Sequence, residues 1–84
     1  MNSTPLNTEI QIKTVPKRDF GLTAREIEVL SLLPTGATAL AIGGVLFLTE
    51  ATVKTHLAAI YRKLNAANRA QAVSIGIENN LIAK

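Results

Sequence analysis

Few residues of this chain could do covalent or metal chemistry. It holds one histidine, His56, and no cysteine, which leaves no disulfide framework and no thiolate metal site. His56 has no acidic neighbour in sequence, and Ser31 and Ser74 lack the strand–turn–helix context of an activated nucleophile. The "IGG" at Ile42–Gly44 has neither the spacing nor the following lysine of a phosphate-binding loop. No catalytic residue, metal ligand or cofactor site is therefore expected. What stands out instead is the placement of charge. No acid occurs between Glu50 and Glu78, whereas Lys54, Arg62, Lys63 and Arg69 all fall in that interval, as does His56. Such a stretch is either a solvated helix face or a surface for a polyanion. The formal net charge of +3 and the pI near 9.7 tilt the balance mildly toward the second.

These residues need helices to position them. Eighty-four residues, 48% of them hydrophobic, suit one small domain with a modest core. Residues 1–21 carry Pro5 and Pro16 among Asn, Ser and Thr with little periodicity, and are expected to be a tail or linker, partly extended at "EIQIKTV". They contain no apolar stretch of the secretory-signal kind. The folded part is expected over 22–84. "LTAREIEVLSLL" opens with a capping box, Thr23 with Glu26, and with Leu22 and Ile27 at staple positions. Glu26 thus has a structural task. Val29, Leu30 and Leu33 form the buried face, and Pro34 with Gly36 ends the helix. A second helix starts at Thr38, with Ala39, Ile42 and Leu46 on its inner side. A third starts at Thr49, and Val53, Leu57, Ile60 and Leu64 make its inward stripe. "NAAN" closes it, and Asn68 with Gln71 opens a fourth helix through "RAQAVSIGIENNLI". The fold class is all-α, a four-helix bundle.

No charged side chain occurs between Glu28 and Glu50, a gap long enough to raise a membrane span. A spanning helix needs about 20 apolar residues, and "PTGAT" interrupts this run, so only about a dozen remain. The gap is read as a helix–loop–helix joint; the expected location is cytoplasmic.

Opposite the inward stripe of the third helix lie Thr55, Ala58, Ala59 and Arg62, with Lys54 and Tyr61 on one flank and His56 and Lys63 on the other. A face with small residues at its centre and cations at its edges can approach the floor of a DNA major groove. The short preceding helix and the tight "FLTE" joint have the form of a helix-turn-helix, and Gly43 allows the two helices to cross closely. The same pattern is compatible with a packing or protein-interaction bundle.

The stretches "LTAREIEVLSLL" and "VLFLTEATVKTHLAAIYRKLNAANRAQAV" closely resemble the LuxR-type (GerE/NarL/FixJ-like) DNA-binding domain of bacterial transcription regulators. The resemblance runs from about Leu22 to Ile82. It implies that the third helix enters the major groove of double-stranded DNA, with Lys54, Thr55 and Ala58 facing bases. Phosphate contacts would fall to Thr49, Thr52, Tyr61, Arg62, Lys63 and Arg69. The fourth helix would carry a homodimer contact through Ala70, Val73 and Ile77. His56 is expected to pack or cap rather than read a base, and Tyr61 can equally cover the core edge. The linker-like start favours the effector part of a response regulator over a stand-alone regulator of the GerE kind.

The chain departs from the family in its second helix. Relatives place charged or amide residues on its outer face, and here Leu40, Ala41, Gly44 and Val45 stand there. That face is expected to dock a sensory domain, a second protomer or RNA polymerase. The alternatives are drift that weakens DNA affinity, or a protein-interaction module with little or no DNA binding.

Overall fold

A computed structural model describes residues 19–83. Residues 1–18, which hold most of the tail expected over 1–21 and its extended "EIQIKTV", and Lys84 lie outside the described residues. Among the described residues there are four α-helices and no strand: α1 (Ala24–Leu32), α2 (Ala39–Leu46), α3 (Glu50–Leu64) and α4 (Arg69–Glu78). A 3-10 turn over Leu33–Thr35 extends α1, and Gly36 ends it at φ 83°, where glycine carries no Cβ penalty.

Each helix begins where its first orphan amides find a side chain. Thr23 accepts from the Glu26 amide at 3.1 Å, and Glu26 Oε1 accepts from the Thr23 amide at 2.9 Å, which completes the expected capping box. Thr38 accepts from the amide of Ala41 and Thr49 from that of Thr52, both at 3.1 Å. Asn68 accepts from the Gln71 amide at 2.9 Å. The Gln71 side chain reaches back one residue further than expected, accepting from the Ala67 amide at 2.6 Å.

The core is the set of inward faces that the periodicity predicts. Val29, Leu30 and Leu33 from the first helix and its extension meet Ile42, Val53, Ile60, Leu64 and Ala72, all buried. Leu22, Ile27, Leu48 and Leu57 pack at its margin. Phe20 packs there too, so the folded unit begins before Leu22, inside the stretch expected as tail. The fourth helix is shorter than expected. It ends at Glu78, and Asn80 at φ 61° turns the chain so that the Leu81 amide donates to the Gly76 carbonyl at 2.8 Å. Leu81 and Ile82 thereby return to the core. Gly76 makes room for them, since a Cβ there would lie 3.2 Å from side-chain atoms of Ile82 and Leu30.

The joint between α2 and α3 sets the geometry of the site. A Cβ at Gly43 would run into the carbonyl oxygen of Leu48, so only glycine allows α2 to sit this close to the chain entering α3. Phe47 takes the left-handed conformation at φ 61°, and the Leu48 amide donates to the Gly43 carbonyl at 2.8 Å, the 6→1 bond of a Schellman motif. The chain then reverses within Leu48 and Thr49 and α3 begins.

Candidate nucleic-acid interface

On α3 the structure separates the residues expected at the site into two groups. Lys54, Thr55, Ala58 and Arg62 are exposed, together with Thr52 and the N-cap Thr49. With Ala51, also exposed and not anticipated as a contact, Thr55, Ala58 and Arg62 recur at spacings of four, three and four and form one outward stripe. The Thr55 hydroxyl donates to the Ala51 carbonyl at 3.1 Å, which fixes its rotamer and leaves its oxygen lone pairs outward. Lys54 and Glu50 form an ion pair of 3.4 Å one turn apart, with side chains 66% and 48% exposed. Tyr61 is half-buried and packs against the core, as its edge-covering role requires, and His56 is half-buried as well.

Lys63 and Arg69, expected to meet phosphates, form the second group, whose side chains are engaged within the domain. The Lys63 ammonium donates to Glu26 Oε1 at 2.8 Å and to the Gly21 carbonyl at 3.1 Å, and its side chain is only 23% exposed. It fastens the end of α3 to the cap of α1. Burial of the Glu26 carboxyl pushes its pKa up. The bonds from Lys63 and the Thr23 amide, with the Lys63 charge, outweigh that, so the net shift is downward. Arg69 donates through Nε and Nη2 to the Leu33 carbonyl at 3.2 and 2.7 Å, joining the Gly36 amide on that acceptor at the end of α1. Both cations are committed to the fold. The sequence carried a signal for Lys63, because a glutamate on the apolar side of α1 demands a cation. None existed for Arg69, whose partner is a backbone carbonyl distant in sequence.

The other expected surfaces are placed as follows. On α4, Ala70 is exposed, whereas Val73 and Ile77 are half-buried and pack against the domain's own core. On α2, Leu40 and Val45 are 67% and 60% exposed, and Ala41 and Gly44 are exposed beside them. Phe47, which follows α2 in the left-handed conformation, is 94% exposed. Sequence reasoning did not single it out, because a bulky residue is uncommon in the left-handed region and nothing in its type signals that helix end. Among the described residues no cluster of His, Cys, Asp or Glu could hold a metal ion, and no helix is long and apolar enough to cross a membrane.

A tight α2–turn–α3 joint carrying an outward stripe of small residues with exposed cations at its margins defines a helix-turn-helix DNA-binding domain of a transcription regulator. The chain belongs to the luxR family of bacterial regulatory proteins, whose pattern (GerE) matches residues 21–76. It is 39% identical over 71 residues to the transcriptional activator protein BjaR1 of Bradyrhizobium diazoefficiens, covering 84% of this chain and 29% of that protein. It is 44% identical over 61 residues to the transcriptional regulatory protein LiaR of Bacillus subtilis, covering 73% of this chain and 29% of that one. Identity to the transcriptional regulatory protein DegU of Brevibacillus brevis is 43% over 78 residues, or 90% of this chain and 33% of the relative. The crystal structure of ChrA, the response regulator of a heme-sensing two-component system, superposes with a TM-score of 0.70 at 40% identity, covering 92% of this chain and 37% of that one. The chain thus spans about a third or less of the length of these relatives.

Proposed function

We propose that this domain binds duplex DNA sequence-specifically through α3, as a homodimer joined along α4 at Ala70, Val73 and Ile77. It serves as the effector part of a longer response regulator or as a stand-alone regulator. Lys54, Thr55 and Ala58 read base edges, and Ala58 with its single methyl suits apolar contact with a thymine methyl. Thr49, Thr52 and Arg62 meet phosphates, with the free amides of the α3 N-terminus alongside. Such recognition needs no cofactor and catalyses no reaction, and it belongs in the cytoplasm, where the DNA is. The observation that carries the reading is the exposed Ala51–Thr55–Ala58–Arg62 stripe lying opposite the buried Val53–Ile60–Leu64 face.

Binding-site selection from randomised duplexes, followed by mobility shifts over a salt series, tests it. A selected site whose affinity falls steeply with salt is the expected result, and no binding at low salt would overturn the reading. Lys54→Ala should cost about five- to a hundredfold in affinity for the selected site, the range of one good base contact. Its melting temperature should barely move, because Lys54 is exposed and its ion pair with Glu50 is a surface one.

The uncharged outer face of α2 favours a second role, contact with a sensory domain, a second protomer or RNA polymerase. Its exposed Leu40, Val45 and Phe47 support that role, since adjoining exposed apolar groups mark interaction surfaces. Leu40→Lys with Val45→Arg should abolish such contact and leave the fold intact. If the doubly substituted protein associates as before, in the full-length context and alone, the docking role falls.

A further inference from the structure

Glu50 is the one acid between Glu28 and Glu78, and it stands in the first turn of α3, the helix proposed to enter the groove. Its carboxylate lies 3.4 Å from the Lys54 ammonium. The fold has already engaged Lys63 with Glu26 and Arg69 with Leu33, so among the described cations of α3 and α4 only Lys54 and Arg62 remain outward-facing. Half of this small positive charge is therefore shadowed by a single carboxylate. A domain selected only for affinity would not keep an acid where phosphates approach.

We propose that Glu50 is a specificity-determining residue, which holds Lys54 off non-cognate DNA and is compensated only at the cognate site. This rests on the DNA-binding reading above. On a generic duplex Lys54 can reach a phosphate only by leaving Glu50, and the uncovered carboxylate then faces the polyanion. Both effects weaken binding wherever the sequence offers nothing in return. At a cognate site the carboxylate accepts from an exocyclic amine in the major groove, cytosine N4 being the donor that Glu suits, and Lys54 is released to the neighbouring guanine or phosphate. Glu50 also favours the α3 N-terminus through the helix dipole, but that contribution is the same on every DNA sequence and cannot alter discrimination.

The test compares wild type with Glu50→Gln on two probes, the duplex recovered by wild-type selection and a scrambled duplex of equal length. Glu50→Gln should bind the scrambled duplex about two- to fivefold more tightly, the value of one exposed charge pair. Its salt dependence there should steepen by nearly one counterion, because Lys54 is now free for phosphate. Affinity for the selected duplex should not rise in step, so the ratio of the two affinities falls. A repeat selection with Glu50→Gln should lose preference at a cytosine-bearing position. Equal gains on both probes, or no gain on either, would overturn the proposal. Absence of any selected site for the wild type would instead defeat the DNA-binding reading itself, so the two failures are distinguishable.

Discussion

The two helices of the helix-turn-helix are built to the same plan and finished differently. Both α2 and α3 start on a threonine cap, and both end in a left-handed residue with a 6→1 backbone bond. The residue at that end is Asn65 for α3 but Phe47 for α2. Asparagine tolerates the left-handed region, while a bulky residue there costs about 1–2 kcal/mol. The outer face of α3 is a stripe of small residues with polar flanks, whereas that of α2 is apolar and carries no charge. Local preference thus stabilises α3 from its own sequence. The short α2 is held by what it touches, above all Ile42 in the core and Gly43 against Leu48. One helix is the proposed reader and the other a strut.

The neighbouring glycines of α2 give the sharpest test of that contrast. A Cβ on Gly43 meets backbone, which cannot yield as a flexible side chain could, so Gly43→Ala should cost about 3 kcal/mol and disturb the α2–α3 crossing. DNA affinity should fall with it. Gly44 has nothing within 4 Å of its Cβ position, and Gly44→Ala should instead stabilise by about 0.5–1 kcal/mol through helix propensity alone. Urea unfolding of both variants checks the pair. Equal effects of the same sign would mean that α2 is not positioned by that contact.

The far end of α3 offers the next largest effect. Lys63→Met leaves the Glu26 carboxylate buried without its cation and should cost about 2 kcal/mol. The sign of the pH dependence follows from the downward shift at Glu26. Its stabilisation is complete above the ordinary glutamate pKa of about 4.3 and is lost as pH falls below that through the folded value. Wild-type stability should therefore drop across that acid window, and Lys63→Met should drop less. The same variant separates reader from anchor. Its salt slope on DNA should equal that of the wild type, and a slope lower by about one counterion would put Lys63 back among the phosphate contacts.

Much of this was legible before any coordinates. The four helices, their caps and the inward faces follow from local rules, and local rules suffice where a helix needs only its own periodicity. Gly43 was legible too, because a short helix before a tight joint leaves no room for a Cβ. The partner of Arg69 was not. A cation on a helix flank looks the same whether it meets a phosphate or a carbonyl from another helix, and only tertiary placement decides. The exposure of Phe47 was not legible either: its type suits a core, while its backbone position at the end of α2 turns it outward. On α3 the exposure of Thr55, Ala58 and Arg62 was legible, whereas Ala59, expected on the same face, is half-buried, and Ala51 was missed because its small side chain carries no chemical signal.

Phe47 also supplies the smallest and most discriminating effect. At 94% exposure its ring buries almost nothing within the domain, yet its backbone sits in a region that suits asparagine. Phe47→Asn gives α2 the ending that Asn65 gives α3. With no burial to lose and backbone strain relieved, stability should rise by about 1 kcal/mol, a gain of roughly 4–8 °C in melting temperature for a domain of this size. Fold stability alone would favour that change, so the phenylalanine carries a local cost. Melting curves at several protein concentrations show whether the ring has a partner. An increase independent of concentration means that Phe47 is idle in the isolated domain. A gain that shrinks as concentration rises means that wild-type chains associate through the apolar face of α2, and the strut is then also a contact surface.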